Sequence, residues 1–255
     1  MEGIIGKHVI ITGGGGGIGS ATARHFAKLG GKVSIFDRDC AAAEKVAAAI
    51  SETGGSARAF PCDITRRDEI EAAVEGASSA FGPVTTLVNN AGWDIFRPFL
   101  QTNPEEWEKL ISINLMGPLH MHHVILPGMV ERRHGRVINV ASDAARVGST
   151  GEAVYAACKA GLLALSKTLA REHARHGITF NVVCPGPTDT NLLASVASSS
   201  SNPEKLTEAF RRAIPMGRIG TPDDLPGAIA FFASDAAGFV TGQVLSVSGG
   251  LTMVG

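Results

Sequence analysis

The stretch from His8 to Gly31 constrains this 255-residue chain more than any other. His8-Val9-Ile10-Ile11-Thr12 reads as a short buried strand that runs straight into Gly13-Gly14-Gly15-Gly16-Gly17-Ile18-Gly19. Residues 20–29 then carry a helical pattern closed by Gly30-Gly31. Strand, glycine loop and helix in that order form a seat for a nucleotide phosphate. Without a Cβ the backbone turns sharply and approaches a pyrophosphate closely, while the helix presents free N–H groups and the positive end of its dipole. Five glycines elsewhere read as a flexible linker. Between a strand and a helix they read as a cradle, with Gly13, Gly16, Gly17 and Ile18 as the candidate contacts.

The next apolar strand, 32–36, ends at Asp37, about twenty residues beyond the loop. A carboxylate there accepts hydrogen bonds from an adenosine ribose and repels a 2′-phosphate, so NAD is the expected cofactor rather than NADP. Arg38 follows directly. Its guanidinium either clasps a phosphate, stacks on adenine or faces solvent, and the sequence leaves these readings open.

The single tyrosine, Tyr155, lies four residues before Lys159 and thirteen after Ser142. At i and i+4 a phenol and an ammonium share a helix face, where the cation favours phenolate and draws the pKa down from its ordinary value of about 10. The pattern therefore proposes a proton acceptor. The same spacing occurs in ordinary helices with a packed tyrosine and a solvated lysine, so it gains weight only beside the glycine loop.

A net charge of −1 and a pI near 6.7 give no electrostatic reason to expect nucleic acid or an anionic membrane as partner. The first residues show neither a basic leader nor a long apolar run, and no later segment reaches about 18 apolar residues without a charge. A soluble, cytoplasmic protein is expected. Cys40, Cys62, Cys158 and Cys184 lack paired zinc or redox spacing and fit a reducing compartment. Cys158 adjoins Lys159, but residues i and i+1 of a helix point in different directions, which argues against an activated thiol. His120, His122 and His123 fall on a helical segment with no carboxylate at ligand spacing, so no metal is expected.

Strand and helix patterns alternate to the end of the chain. Helices are expected over 41–52, 67–81, 104–132, 154–175 and 222–234, and strands near 57–60, 84–88, 136–140, 179–183 and 244–247. Helices inserted between apolar strands imply parallel pairing with right-handed crossovers. The expected fold is α/β: one domain over 1–255, with a doubly wound seven-stranded parallel sheet and helices on both faces. Polar 197–203 and helical 204–213 read as part of a mobile substrate lid over 189–215, hinged at Pro187 and Pro215. Ligands of such sheets bind beyond the carboxyl ends of the strands. There stand Asp63-Ile64, Asn89-Asn90-Ala91-Gly92, Ser142 and Pro185-Gly186-Pro187-Thr188.

Taken in order, Thr12-Gly13-x-x-x-Gly17-Ile18-Gly19, Asn89-Asn90-Ala91-Gly92 and the set Asn114, Ser142, Tyr155 and Lys159 resemble the short-chain dehydrogenase/reductase family over essentially the whole chain. The resemblance implies a Rossmann fold and oxidation of a secondary alcohol with NAD, or the reverse. It implies that Asp63 and Ile64 hold adenine, that Asn90, Ala91 and Gly92 line the middle of the cofactor, and that Pro185, Gly186 and Thr188 flank the nicotinamide. Tyr155 would take the hydroxyl proton while Ser142 bonds the same oxygen. Lys159 would hold the nicotinamide ribose, and Asn114 would hold a water beside that lysine. A homotetramer is implied as well. Ser248 stands where relatives commonly carry aspartate, which puts one local hydrogen bond in doubt.

A narrower resemblance is carried by Trp93-Asp94-Ile95-Phe96, by His120-Met121-His122-His123 and by the runs 130–135 and 142–148. It points to dehydrogenases of cyclic β-hydroxyacyl-CoA thioesters in the degradation of benzoate and alicyclic acids. The implied partner is a small-molecule acyl-CoA, with Trp93, Asp143 and Arg146 as candidate substrate contacts. Arg146, Lys205, Arg211 and Arg212 either meet coenzyme A phosphates or are solvated. A 3-oxoacyl-carrier-protein or acetoacetyl-CoA reductase would share the catalytic set but would commonly prefer NADPH. A non-catalytic nucleotide sensor would share the fold, yet has no need of Ser142, Tyr155 and Lys159 together.

Overall fold

Apolar strands alternate with helices along the whole chain, and a computed structural model describes residues 2–198 and 203–254. In chain order the elements are β1 (His8–Thr12), α1 (Gly17–Lys28), β2 (Lys32–Asp37), α2 (Cys40–Glu52), β3 (Ser56–Pro61), α3 (Arg67–Phe81) and β4 (Thr86–Asn89). Then follow α4 (Pro104–Ile111), α5 (Gly117–Glu131), β5 (Gly135–Val140), α6 (Ala144–Val147), α7 (Ala153–His173), β6 (Ile178–Pro185), α8 (Asn191–Ser198), α9 (Pro203–Ala213), α10 (Pro226–Ala233) and β7 (Val244–Val247). Every residue of β1, β4, β5 and β6 is buried, as strands covered by helices on both faces require.

The seven strands form one parallel sheet in the order β3-β2-β1-β4-β5-β6-β7. The order reverses between β1 and β4, so the connections after those two strands leave in opposite directions and open a crevice at their carboxyl ends. The two faces carry separate cores. Ile11, Phe26, Val33 and Ile229 belong to one, and Phe36, Leu87, Met121 and Phe180 to the other. The doubly wound seven-stranded fold expected from the alternation is the one observed.

Three local differences have physical causes. The helix expected over 104–132 is broken by a wider turn at Ser112–Met116. Pro118 has no N–H to return to the carbonyl of Asn114, and the Asn114 side chain takes the Leu110 carbonyl at 3.0 Å, so the register shifts by a residue. The helix expected over 222–234 starts as a tight turn, Pro222–Asp224, before α10, because Pro226 interrupts the ladder. Of the polar stretch 197–203, residues 197 and 198 end α8 and 203 opens α9, while 199–202 lie outside the described residues.

Among the described residues one helical stretch, Ala153–His176, is long and apolar enough to cross a membrane. It is a core helix here: Tyr155, Cys158, Leu162, Ser166 and Ala170 are buried.

Candidate active site

A cavity of about 880 Å³ opens at the carboxyl ends of β1, β2, β4, β5 and β6. Its nucleotide end is built from backbone. The N–H of Gly15 donates to Asp37 Oδ2 at 2.9 Å and the N–H of Asp39 to Oδ1 at 3.0 Å, so the carboxylate fastens the glycine loop to the end of β2. Asn90 Nδ2 donates to the carbonyls of Thr12 and Gly13, and the Thr12 hydroxyl accepts from the N–H groups of Asn90 and Ala91. The ends of β1 and β4 are thereby locked together. Gly19 lies so close beneath the loop that a Cβ there would meet the Gly13 carbonyl oxygen at 2.1 Å. Open space lies over Gly16, at the start of α1, where a pyrophosphate would find free N–H groups.

Each of the expected cofactor positions lines this cavity: Gly13, Gly16, Gly17 and Ile18 at the loop, Asp37 and Arg38 at β2, and Asp63 and Ile64 after β3. Asn90, Ala91 and Gly92 follow β4, and Pro185, Gly186 and Thr188 follow β6. Arg38 is exposed, whereas Asp63 is held by its own turn, accepting from the N–H and hydroxyl of Thr65. Ser248 packs behind Gly186, which lines the cavity. Its Cβ packs 2.7 Å from where a Cβ on Gly186 would stand, and its hydroxyl accepts from the N–H of Thr252.

The other end holds the reactive side chains. Ser142 stands two residues beyond β5, and Tyr155 and Lys159 stand one turn apart on α7, both buried. Tyr155 is within hydrogen-bonding reach of Ser142. Lys159 Nζ donates to the Val140 carbonyl at 3.1 Å and lies 5.6 Å from the Tyr155 ring centre. Asn114, fully buried, joins α4 to the loop after β4: its Nδ2 donates to the Trp93 carbonyl at 2.7 Å and its Oδ1 accepts from the Trp93 N–H. Between them stands Gly92. A Cβ on it would come within 3.0 Å of Asn114 Oδ1 and 3.3 Å of Lys159 Nζ, so only glycine lets amide, ammonium and cofactor space adjoin.

Burial reverses one expectation. Lys159 does not bring the Tyr155 phenol down. Desolvation raises the phenol above its ordinary value, and the nearby Asp94 and Glu152 carboxyls raise it further, with Ser142 opposing weakly. Desolvation also brings Lys159 down to about 8. Asp94 is pushed up to about 8 by burial and then by the adjoining Glu152. The thiol of Cys158 is raised by burial, consistent with a packed, unreactive cysteine.

Of the expected substrate contacts, Trp93 lines the cavity with Lys109 Nζ 3.9 Å above its ring. Asp143 lines it as well, but its Oδ1 accepts from the Ser246 hydroxyl. Arg146 is not a wall residue. Its guanidinium donates to the Ser246 hydroxyl at 2.9 Å and to the Val254 carbonyl, which ties α6 to β7 and the terminal segment. Arg211 and Arg212 both pair with Glu208 on exposed α9. His122 is packed against Phe180 and bonded to Asn89, and its burial lowers it to about 4. No group of metal ligands occurs among the described residues. Sequence reading missed Lys109 and the roles of Asp94 and Glu152. Glu152, one turn before Tyr155, was open to detection from helical spacing alone.

A parallel sheet with a glycine cradle at its switch point and a buried Ser-Tyr-Lys set defines a nucleotide-dependent oxidoreductase. Residues 13–252 match the family model described as enoyl-(acyl carrier protein) reductase. The chain is 37% identical to 2-(S)-hydroxypropyl-CoM dehydrogenase 3 of Xanthobacter autotrophicus over 96% of both chains. It is 36% identical to the 3-oxoacyl-acyl-carrier-protein reductase of Escherichia coli over 98% of both. The crystal structure of a 3-ketoacyl-(acyl-carrier-protein) reductase from Brucella melitensis complexed with NADH superposes with a TM-score of 0.91 at 36% identity, covering 98% of this chain and all of that one. The chain belongs to the short-chain dehydrogenase/reductase family, and it is an oxidoreductase acting on CH–OH groups.

Proposed function

We propose that this enzyme oxidises the secondary alcohol of a cyclic β-hydroxyacyl-CoA, namely 2-hydroxycyclohexane-1-carboxyl-CoA, to the ketone with NAD, in the degradation of benzoate and alicyclic acids. The observation that carries the reading is the apolar part of the cavity's lining. Trp93, Phe96, Val147, Leu193 and Phe210 line the same cavity as Ser142 and Tyr155, an apolar surface suited to a saturated ring. The names of two relatives, a hydroxypropyl-CoM dehydrogenase and a 3-oxoacyl-carrier-protein reductase, pair a hydroxy or oxo group with a carrier. Asp37 supports NAD over NADP, because its fixed carboxylate suits a ribose diol and repels a phosphate.

When bound, NAD supplies the hydride acceptor and a positively charged ring. The chain supplies the proton chemistry and the positions. Tyr155 accepts the hydroxyl proton, and Ser142 holds the same oxygen. Lys159 reaches the ribose from α7, past the Val140 carbonyl at the end of β5, and Asn114 with a water beside Lys159 carries the proton toward solvent. Helices α8 and α9 place Leu192, Leu193 and Phe210 on the cavity and serve as its cover. We also read the protein as a cytoplasmic homotetramer. Exposed Leu100, Ile111 and Met116 near α4, and Phe239 and Leu245 near β7, supply apolar surface for two kinds of contact, and the four cysteines are free.

A second reading, a 3-oxoacyl-carrier-protein reductase, is favoured by the relatives of that name, and Asp37 does not separate it from the first, because the Brucella melitensis reductase is complexed with NADH. A panel of hydroxyacyl-CoA thioesters, the matching free acids and 3-oxoacyl thioesters, assayed with each nicotinamide cofactor, separates the readings. The proposal expects the cyclic hydroxyacyl-CoA with NAD to give the highest kcat/KM. Free acids as good as thioesters, or a preference for 3-oxoacyl reduction with NADPH, would overturn it.

A further inference from the structure

Asp94 and Glu152 form a pair of carboxyls that the proton chemistry above does not use. Asp94 is 6% exposed, two residues beyond Gly92, and Glu152 stands at the start of α7, one helical turn before Tyr155. Both line the cavity together with Ser142, Tyr155 and Lys159. The two carboxyls are in hydrogen-bonding reach of each other, and Asp94 Oδ1 otherwise accepts only the N–H of Ile95 at 2.7 Å. Among the described residues no cation forms an ion pair with either. The nearest arginine in the loop, Arg97, pairs with Glu106, and Lys159 bonds the Val140 carbonyl. The Arg97 N–H donates to the Gly151 carbonyl at 2.8 Å, which holds the loop that carries Asp94 against the start of α7, and two carboxyls set side by side in a partly buried wall favour a single shared proton over two charges.

We propose that Asp94 and Glu152 share one proton on the substrate wall and present it to the thioester carbonyl of the bound acyl-CoA, making this pair the determinant of thioester over free acid. The inference rests on the proposed acyl-CoA substrate. In a β-hydroxyacyl thioester the carbonyl carbon is bonded to the neighbour of the carbinol carbon. With the hydroxyl at Tyr155, that carbonyl reaches the wall one turn away, where Glu152 and Asp94 stand. A neutral carbonyl oxygen accepts the shared proton as a hydrogen bond. A free carboxylate at the same place meets the pair's net negative charge and is turned away. The titratable groups that face the pair are Tyr155 and Lys159 from α7. Burial, then Glu152, holds Asp94 at about 8, and the opposing charge of Lys159 is the smallest of the influences on it.

The test uses the full-length enzyme with NAD, comparing wild type with Asp94→Asn, Glu152→Gln and Asp94→Leu. The readouts are kcat/KM for a cyclic hydroxyacyl-CoA, the same value for its free acid, and the infrared absorption of protonated carboxyl groups. Wild type is expected to prefer the thioester, with its KM rising roughly tenfold as pH passes through about 8. Asp94→Asn and Glu152→Gln keep a donor but lose the charge. Each should lower the thioester-to-acid ratio about tenfold and flatten the KM profile, while Asp94→Leu should raise the thioester KM by about tenfold. A protonated-carboxyl band at neutral pH, lost in Asp94→Asn, is expected independently of turnover, and unchanged NAD binding certifies each variant's fold. A wild type that prefers thioesters, with the same ratio and pH profile in the variants, would overturn this inference and leave the proposed substrate standing. A wild type without any thioester preference would overturn both.

Discussion

The two ends of the cavity solve opposite electrostatic problems. At the nucleotide end the charged group, Asp37, is met by backbone N–H donors from Gly15 and Asp39, and the neighbouring side chains of Thr12 and Asn90 are bonded to backbone. At the substrate end Asp94, Tyr155 and Lys159 crowd one another beside Glu152 with few fixed partners; burial displaces the proton affinities of all three, and neighbouring carboxyls displace those of Asp94 and Tyr155 further. The first end is pre-organised to receive a charge that does not change during turnover. The second stores proton affinities that shift when charges arrive, which is what an acid/base site needs.

The contrast is broken most severely at Tyr155. Tyr155→Phe removes the proton acceptor and should lower kcat/KM by about 10²- to 10⁴-fold, while the Kd for NAD measured by fluorescence titration stays close to wild type. A parallel loss of nucleotide binding would contradict the separation of the two ends. The converse change is Gly19→Ala. Its Cβ would collide with the Gly13 carbonyl, so the loop must shift, and NAD affinity should weaken about tenfold, roughly 1.4 kcal/mol, as the dominant defect.

The smallest effect is on stability. Asp94 is raised from 3.8 to about 8 in the folded protein, so between those values the native state retains a proton that the unfolded chain releases. Stability therefore falls as pH rises from about 4 to about 8. Asp94→Asn cannot titrate, and its stability relative to wild type should rise across that window by on the order of 1 kcal/mol or more, read as diverging Tm curves. Parallel curves would show that the pair carries no displaced proton.

What the sequence disclosed follows the same division. The glycine loop, Asp37 and Asn90 act through backbone geometry within short motifs, so their spacing reveals their place, and the apolar strands with intervening helices dictate the doubly wound sheet. The ties of Arg146 were not legible because its partners, Ser246 and Val254, are about a hundred residues away along the chain. The Tyr155 reading failed in sign for a related reason. Helical spacing shows that Lys159 is near, but burial and the carboxyls of Asp94, contributed by a loop sixty-one residues earlier, are tertiary facts.

The most direct measurement exploits the single phenol. Tyrosinate absorbance in this chain reports Tyr155 alone, and it can be titrated with and without saturating NAD. The account predicts that the protein without NAD ionises above the ordinary value of about 10, held there by burial and by Asp94 and Glu152, and that the positively charged cofactor brings the transition below 10. A transition at about 10 in both states would contradict it.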